Sequence, residues 1–455
     1  MPKKKTALTI EERLQQALVP AEEQPYEVPE NWVWVRLESV ASWGSGGTPS
    51  RKHEEYYNGD ILWIKTGELN NGWIYDTEEK ITDEGLKKSS AKLFPPYSVL
   101  IAMYGATIGK VAILGVPATT NQACACAVCN QSLLYMYLFY YCISQKNVFI
   151  EKGKGGAQPN ISQIILKQHP IPLPPLSEQQ RIVERIEELF AKLDEAKERL
   201  QEVAESFAVR KAAILHKAFT GELTQQWRRE NGVSDESWEE KKLGEVGSWL
   251  GGGTPSTSRE EYWENGNILW ITSKDMKSAV IEDTLMKVNE IGVKNSSANY
   301  IEKPALLVVM RSGILRRTFP VAMVKKPFTV NQDLKAIIPD KDDLEFLYWM
   351  LLSNEQRILD TCMKNGTTVE SINSNALKNL TFKCPTLSEQ DEIVRLIDDL
   401  LACERSAQQA TEQALASIDL MKKSILARAF RGELGTNKAS EASALELLRQ
   451  VLAEN

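Results

Sequence analysis

The sequence is poor in the residues on which most catalytic and metal sites depend. Its three histidines, His53, His169 and His216, lie in different segments and form no ligand pair. Its seven cysteines show no paired spacing that recurs, which argues against a disulfide framework and fits a reducing cytosol. No Ser/His/Asp or Cys/His set can be assembled from spacing. We therefore expect no catalytic residue and no metal ligand on this chain.

Long apolar runs and a basic excess are missing too. Residues 1–5 are mostly basic, but no apolar run follows them, so we expect no signal peptide. The most apolar stretch, 98–116, is interrupted by Lys110, and we interpret it as two buried strands around a turn rather than as a membrane span. The net charge of −7 argues mildly against a nucleic-acid partner, although the acidic residues crowd into 177–210 and 388–413 and leave basic loops elsewhere.

Most motifs in the chain occur twice. The second copy follows the first after roughly 206 to 211 residues, which suits a whole domain with a connector better than a solenoid repeat. The repeated segments are Gly46-Gly47-Thr48-Pro49-Ser50 with Gly252-Gly253-Thr254-Pro255-Ser256, Ile61-Leu62-Trp63-Ile64 with Ile268-Leu269-Trp270-Ile271, Asn121-Gln122 with Asn331-Gln332, Leu176-Ser177-Glu178-Gln179 with Leu387-Ser388-Glu389-Gln390, and Ala218-Phe219 with Ala429-Phe430. Two similar surfaces on one chain suggest a target that itself has two parts.

Local patterns predict an α+β fold. Short runs of Val, Ile and aromatic residues between breakers indicate strands, and longer breaker-free apolar runs indicate buried helices. Thr9 and Glu12 have the spacing of a capping box at the start of a short helix. The predicted elements are strands at 60–65, 98–104 and 110–114 and helices at 9–18, 133–142 and 344–352.

Two long helices, one in each copy, are predicted after proline-bearing segments. Ser177 and Gln180 have capping-box spacing at the start of the first helix, and Ser388 opens the second. Their apolar residues recur in alternating steps of four and three, which is the heptad seam of a coiled coil. The predicted seam consists of Ile182, Ile186, Leu189, Leu193, Leu200, Phe207, Ile393, Ile397, Leu400, Ile418 and Ile425. We expect the helices to pair antiparallel, as a rigid spacer between two similar α/β domains; two unrelated surface helices are the alternative.

This organisation gives an internal repeat with pseudo-twofold symmetry. The expected segments are an N-terminal helical arm (1–25), a first globular domain (26–175), a long helix (176–222), a second globular domain (223–386), a second long helix (387–435) and a C-terminal helix or tail (436–455).

Three segments match known motifs in part, and each lacks a required feature. Phe94 stands where the Asn-Pro-Pro-Tyr motif of amino-methyltransferases has an amide, so we interpret 94–97 as a proline turn before a strand. Residues 105–110 are one residue short of a phosphate-binding loop and lack its Mg²⁺-binding hydroxyl. The cysteines of 124–129 alternate as in a strand and have no counterpart in the second copy, which argues against a zinc site.

Polar, glycine-bearing loops remain, and they also occur twice. Backbone donors with Thr, Ser and Arg suit phosphate oxygens, whereas Gln, Asn, Lys and Thr suit base edges in the major groove. An ordinary solvated turn is the alternative for any single loop, but the recurrence of one frame with different side chains favours recognition. The candidate DNA-binding residues are Thr48, Ser50, Arg51, Lys52, Lys65, Tyr104, Thr107, Lys110, Lys152, Lys154, Gln158, Asn160, Thr254, Ser256, Arg259, Ser273, Lys274, Arg311, Arg316, Arg317, Lys364, Asn365, Thr367 and Thr368.

Taken together, these motifs resemble those of one protein family. The sequence is similar, across nearly its full length, to the specificity (S) subunit of type I restriction–modification enzymes. The features in common are the Trp32 and Trp238 starts, the twin Gly-Gly-Thr-Pro-Ser loops, the twin Ile-Leu-Trp-Ile strands, the Leu-Ser-Glu-Gln helix openings and the Ala-Phe-x-Gly-Glu-Leu closures. The arm before Pro20 and the tail after Gly435 are less characteristic of the family.

The resemblance implies a function for the whole architecture. Each globular domain would be a target-recognition domain that reads one half of a bipartite double-stranded DNA target, and the long helices would fix the unread spacer. Two modification subunits would dock on the helices and methylate adenine with S-adenosylmethionine. Two restriction subunits would translocate and cut with ATP and Mg²⁺. The chain itself would perform no chemistry, bind no cofactor and work in the cytoplasm with no membrane partner.

Two other classes of function stay open at this stage. A self-contained adenine-N6 DNA methyltransferase with a fused reader would bind S-adenosylmethionine without partners. A coiled-coil adaptor that binds only protein would leave no footprint on DNA.

Overall fold

The chain folds as two compact units that share both long helices. The computed structural model describes residues 9–153, 160–364 and 369–454. The first unit comprises the described part of Met1–Leu200 with Ala414–Asn455, and the second is the described part of Gln201–Gln413. Within the described residues, no helix combines the length and the apolar character that crossing a membrane requires.

Helices and strands alternate along the chain. The helices are α1 (Ile10–Ala17), α2 (Leu37–Val40), α3 (Asp83–Lys87), α4 (Tyr135–Ser144), α5 (Lys146–Lys152), α6 (Gln163–Lys167), α7 (Leu176–Phe219), α8 (Gln225–Asn231), α9 (Glu290–Lys294), α10 (Leu344–Ser353), α11 (Glu355–Cys362), α12 (Ser374–Lys378), α13 (Leu387–Ala429) and α14 (Ala444–Glu454). The strands are β1 (Val33–Arg36), β2 (Ala41–Ser45), β3 (Tyr57–Ile64), β4 (Trp73–Ile74), β5 (Lys80–Ile81), β6 (Val99–Ala102), β7 (Val111–Leu114), β8 (Thr119–Thr120), β9 (Cys124–Cys129), β10 (Pro170–Leu173), β11 (Glu239–Lys242), β12 (Gly247–Gly251), β13 (Ile268–Ile271), β14 (Met286–Val288), β15 (Ala305–Val309), β16 (Val321–Val324), β17 (Phe328–Val330), β18 (Leu334–Pro339) and β19 (Thr381–Cys384).

The first unit is built on a five-stranded sheet with the order β2-β9-β6-β7-β4. Its pairs are antiparallel except for β4 with β7. A three-stranded sheet, β5-β3-β8, and a two-stranded sheet, β1-β10, complete the unit. Strands β6 and β7 consist only of apolar residues and are buried throughout. They occupy the centre of the unit because both of their faces are covered.

The second unit repeats this plan. Its sheets have the orders β12-β18-β15-β16, β14-β13-β17 and β11-β19. In each unit the strand that contains Ile-Leu-Trp-Ile pairs parallel with one short neighbour and antiparallel with the other. Among the described residues, β4 alone lacks a counterpart strand, since at that edge Val280 makes an isolated parallel bridge with Met323. The structure thus confirms the internal repeat that the motifs predict.

The short elements predicted from the sequence are confirmed, with their ends shifted by a few residues. The helix at 133–142 is observed as α4, the helix at 344–352 as α10, and the strands as β3, β6 and β7. The capping box of α1 is also confirmed: Glu12 donates its backbone N–H to Thr9 Oγ1 at 3.2 Å, and Thr9 donates its own to Glu12 Oε2 at 2.8 Å.

The predicted capping box at Ser177 is wrong. Helix α7 begins at Leu176 and α13 at Leu387, so Ser177 and Ser388 already lie inside the first turn. The free amide of Glu178 is instead satisfied by the carbonyl oxygen of Pro175 at 2.9 Å. The carbonyl group of Pro175 therefore caps the start of α7, where the sequence pattern predicts a cap by the Ser177 side chain.

Gln179 and Gln390 explain why Leu-Ser-Glu-Gln recurs. Both glutamines are buried. Gln179 Nε2 donates to Pro174 O at 3.0 Å, and its Oε1 accepts from the backbone N–H of Leu134 at 2.8 Å. Gln390 makes the equivalent hydrogen bonds: its Nε2 donates to Pro385 O at 3.0 Å, and its Oε1 accepts from the backbone N–H of Asp343 at 2.8 Å. In each copy one buried amide therefore ties the long helix to the start of the apolar helix α4 or α10.

The two long helices run antiparallel in both units. In the first unit, Lys422 contacts Asp194 and lies 5.0 Å from the ring centre of Phe190, whereas the earlier residue Arg181 reaches Glu441 beyond the end of α13. Residues nearer the start of α7 thus contact residues nearer the C-terminus of the chain, as in an antiparallel pair.

The second unit shows the same direction. Arg210 Nε donates to Glu404 Oε2 at 2.9 Å, and the later residue Thr224 donates to Glu389 Oε1 at 2.7 Å. Each unit contains part of both long helices, and in each unit these parts pair antiparallel, as the heptads predict.

Most residues of the predicted seam are buried or half-buried. Ile182, Ile186, Ile393, Ile397 and Ile418 are buried, and Leu189, Leu193, Leu200, Phe207 and Ile425 are half-buried. Leu400 is an exception and corrects the prediction: it is 37% exposed, whereas Leu401 is 5% exposed and joins the core of the second unit. A step of four residues from Ile397 keeps Leu401 on the face that packs against the globular part of that unit.

Candidate nucleic-acid interface

The Gly-Gly-Thr-Pro-Ser loop of the first unit is held against two strands. A side chain at Gly46 would lie 1.7 Å from the carbonyl oxygen of Thr120, so only glycine fits there. Gly47 donates its N–H to that same oxygen at 2.9 Å, and its own carbonyl accepts from Trp63 Nε1 at 2.8 Å. The loop is therefore fixed by the ends of β3 and β8.

The second loop is fixed in the same way. A side chain at Gly252 would lie 1.8 Å from Val330 O, and Trp270 Nε1 donates to Gly253 O at 3.2 Å. In both units the tryptophan of Ile-Leu-Trp-Ile thus donates a hydrogen bond to the second glycine of the loop, and the first glycine packs closely against a neighbouring strand. These contacts explain why both motifs recur together.

The exposed threonine of each loop is hydrogen-bonded to a glutamine. Thr48 Oγ1 donates to Gln122 Oε1, and Thr254 Oγ1 donates to Gln332 Oε1 at 2.8 Å. Both glutamines are exposed. Both hydroxyl groups, which the sequence predicts to contact phosphate, thus donate to the amide oxygen of a glutamine. The recurring Asn-Gln dipeptide is the signal for these glutamines in the sequence, and the predicted DNA-binding residues do not include them.

A second loop lies on the other side of the Asn-Gln turn in the first unit. The carbonyl oxygen of Ala123 accepts from Met103 N at 2.9 Å, and the next residue, Tyr104, forms a bridge with Asn160. Thr107 Oγ1 donates to Tyr104 O at 2.8 Å. The predicted residues Tyr104, Thr107 and Asn160 are thus brought together beside Gln122.

The corresponding loop of the second unit carries more charge. Asp333 O accepts from Arg311 N at 3.2 Å, and Arg311 forms a bridge with Ser371. Lys364 donates its backbone N–H to Ser371 O at 2.9 Å. The frame is that of the first unit, but an arginine occupies the place of Tyr104 and a serine that of Asn160.

Several predicted cations are paired with carboxylates. Glu79 accepts from Lys65 Nζ at 2.8 Å and from Arg51 at 2.6 Å, and the Lys65 hydrogen bond is the largest cause that lowers the pKa of Glu79. Arg51 also lies 4.3 Å from the ring centre of Tyr57. Binding of phosphate by Arg51 or Lys65 would require that these contacts be exchanged, which weakens the case for both as DNA contacts.

The second unit shows a similar pairing. Arg316 is paired with Glu370, and this hydrogen bond is the largest cause that lowers the pKa of the Glu370 carboxyl group. Arg259 Nη1 lies 3.5 Å from Glu261 Oε1. Arg311 and Arg317 are exposed. Among the arginines predicted for this unit, these two are therefore the better candidates for phosphate or base contacts.

Lys152 is tied to a buried histidine. Its Nζ lies 3.2 Å from Nδ1 of His169, which is 3% exposed. Burial, and then the charge of Lys152, lowers the pKa of His169 to about 3, so the ring is neutral and its Nδ1 can accept a hydrogen bond from Lys152 Nζ. Lys152 is the last residue of α5.

The other candidates are polar surface residues or lie outside the described residues. Ser50, Lys52, Ser256 and Lys274 are exposed, and Lys110 and Ser273 are half-buried. Five predicted loop residues, Lys154, Gln158, Asn365, Thr367 and Thr368, fall outside the described ranges.

No metal site is visible in residues 9–153, 160–364 and 369–454, where no three His, Cys, Asp or Glu side chains cluster suitably for an ion. Cys124 is buried in β9, and burial is the largest cause that raises its thiol pKa to about 12. A thiol of that pKa stays protonated at neutral pH and is an inert core residue.

Comparison with known proteins identifies the repeated unit. The family described as "Type I restriction modification DNA specificity domain" matches twice, over residues 29–205 and 235–415. The specificity subunit of the type I restriction enzyme EcoR124I/EcoR124II from Escherichia coli is 40% identical over 159 residues, which are 35% of this chain and 39% of that subunit. The EcoKI specificity subunit from E. coli K12 is 25% identical over 94% of this chain and 96% of its own length.

A solved structure shares the fold. The HsdS subunit from Thermoanaerobacter tengcongensis superposes with a TM-score of 0.65 at 21% identity, over 90% of this chain and 100% of that one. The two matched segments cover most of the chain, one in each copy of the repeat. This chain therefore belongs to the type I restriction–modification DNA specificity family, as a specificity subunit with two target-recognition domains.

Proposed function

We propose that each unit reads one half of a bipartite double-stranded DNA target. The observation that carries this proposal is the pair of exposed turns at Gln122 and Gln332, which share one backbone frame. Beside these turns the side chains differ, with Tyr104 in one unit and Arg311 in the other. One frame with two sets of exposed polar side chains suits a reader of two different sequences.

The long helices set the unread gap between the two half-sites. Helix α7 has 44 residues and α13 has 43. At 1.5 Å per residue each is about 65 Å long, which is enough to separate two reading sites along a duplex. The antiparallel ion pairs Asp194–Lys422 and Arg210–Glu404 support a paired rather than a separate arrangement in each unit.

The chemistry belongs to partner subunits. Two modification subunits dock on the helices and methylate adenine with S-adenosylmethionine, and two restriction subunits supply ATP- and Mg²⁺-dependent translocation and cutting. This chain contributes recognition and no catalytic group, and the complex works in the cytoplasm. The high pKa of the buried thiol of Cys124 supports a reader without a nucleophile in that strand.

Mapping of methylated adenines by long-read sequencing tests the proposal. Cells that express the full chain with its modification subunit should acquire methylation at one motif, which consists of two short specified parts and a gap of constant length. Methylation at a single uninterrupted motif, or at adenines without a motif, would rule the proposal out.

A further inference from the structure

We propose that Gln122 and Gln332 contact the DNA backbone and set the register of each unit, while the side chains across the turn choose the bases. This inference rests on the proposed function, because it divides roles within a DNA-reading surface.

The turn that presents each glutamine is held by the same hydrogen bonds in both units. Asn121 donates its backbone N–H to Ile64 O at 2.9 Å, and its Oδ1 accepts from Ala123 N at 3.2 Å. Asn331 repeats both bonds, at 3.0 Å and 3.1 Å. The asparagine side chain therefore holds the turn closed, and the glutamine that follows lies at its exposed tip.

The threonine hydroxyl decides which end of the amide meets a ligand. Oε1 of Gln332 accepts from Thr254 at 2.8 Å, and Oε1 of Gln122 accepts from Thr48. Recognition of adenine by glutamine uses Oε1 and Nε2 together, and the threonine hydroxyl already takes up one of the two lone pairs of Oε1. Contact with a phosphate oxygen requires only a donor, and Nε2 carries two N–H groups.

The presence of the same glutamine in both units also favours a contact with the DNA backbone. The same side chain, fixed in the same way on the same frame, suits a feature that both half-sites share. The sugar–phosphate backbone is such a feature, whatever the two sequences are. Contacts to phosphate fix the orientation of a protein on a duplex and carry no sequence information themselves.

The side chains across the turn have the opposite property. Ala123 O and Asp333 O accept from Met103 N at 2.9 Å and from Met310 N at 2.8 Å, so the frame is again the same. The residue that follows is Tyr104 in one unit and Arg311 in the other. Both are exposed. Because this position carries a different polar side chain in each unit, we assign the choice of bases in each half-site to Tyr104 and Arg311.

Selection from a library of double-stranded DNA, with the full chain and its modification subunit, tests the assignment. Gln122→Ala should weaken binding by about tenfold, the loss of one hydrogen bond to a charged group, for every sequence in the library alike. The selected motif should stay unchanged. The salt dependence should also stay unchanged, because a neutral donor releases no counterion.

Gln122→Glu separates a DNA contact from a structural role. Glutamate keeps an acceptor for the Thr48 hydroxyl but has no N–H donor and adds a negative charge. Binding should therefore fall further than with Gln122→Ala, whereas a purely structural role predicts affinity close to wild type. Gln226→Ala is the matched control, since Gln226 is an exposed glutamine on α8 whose amide bonds Glu230, and it should leave binding unchanged.

Arg311→Ala should change base preference in one half of the motif only. A changed motif with Gln122→Ala would make Gln122 a base reader, and wild-type binding by Gln122→Glu would remove it from the DNA; either result overturns this inference and leaves the proposed function intact. If the wild-type complex selected no two-part motif, the proposed function and the inference would both fail.

Discussion

The indole nitrogen of Trp32 donates a hydrogen bond to Glu178 Oε2 at 2.7 Å, and both side chains are buried. Asn437, beyond the end of α13, donates to the same oxygen at 2.8 Å. One carboxylate in the first turn of α7 thus joins the start of the first globular part to the segment that follows the second long helix. The second unit holds its equivalent carboxylate, Glu389, with Arg228 at 2.7 Å.

Replacement of Trp32 by Phe should lower the free energy of unfolding by about 1–3 kcal/mol, because a buried charged acceptor loses a donor. Urea unfolding followed by circular dichroism measures the loss. Trp238→Phe is the matched control: within the described residues Trp238 Nε1 has no hydrogen-bond partner, so this variant should cost less. Equal losses in the two variants would contradict the importance of the Trp32–Glu178 bond.

Stability should fall in mild acid because His169 is buried in its neutral form. Its pKa, about 3, lies below the ordinary value of 6.5, chiefly because of burial and then because of Lys152. The unfolded chain therefore binds more protons between these two values, and stability is lost as pH falls below about 6.5. From pH 7.5 to pH 5.0 the expected loss from this group is about 2 kcal/mol.

Urea unfolding over this pH range, compared with His169→Gln, isolates the contribution. The variant cannot titrate at this position, so its stability should depend less on pH than that of the wild type. Parallel pH profiles for the two proteins would exclude His169 as the cause.

Charge reversal of one cation in each unit should affect different half-sites. Lys110 and Arg317 each follow the turn that begins with Tyr104 or Arg311. Arg317→Glu should weaken binding to one half-site and Lys110→Glu to the other, and each lost phosphate contact should reduce the salt slope by roughly 0.9. Titration of duplexes that carry one intact and one scrambled half measures the two effects separately. Equal loss at both halves from a single substitution would contradict the division of labour.

Calorimetry should detect no binding of S-adenosylmethionine to the chain alone. The modification subunit, measured in the same way, is the positive control. Heat of binding from the isolated chain would favour a self-contained methyltransferase over a reader that depends on partners.

The sequence predicted the repeat and the long helices because both depend on local patterns that occur twice. Heptad spacing was sufficient to locate α7 and α13, yet it selected Leu400 over Leu401, since only the packed core shows which face a helix turns inward at its end. The side-chain pattern predicts Ser177 as the cap, because the carbonyl group of Pro175, which accepts from Glu178 N, leaves no pattern in side chains.

The candidate interface was harder to predict, because its decisive contacts join distant segments. Thr48 and Gln122 are 74 residues apart, so the role of Thr48 in orienting Gln122 could not be read from either loop alone. Arg51 was selected for its charge, and its partner Glu79 lies 28 residues further along. The alignment of the two copies was the signal that could have identified both Gln122 and Gln332.

Deletion of one heptad from both long helices tests the role of the helices as a spacer most directly. Removal of residues 197–203 together with 412–418 keeps the antiparallel register and shortens each helix by about 10 Å. The gap between half-sites in DNA selected by this variant, with its modification subunit, should be shorter than the wild-type gap by about three base pairs at 3.4 Å each. A gap of unchanged length would contradict the spacer function of the paired helices.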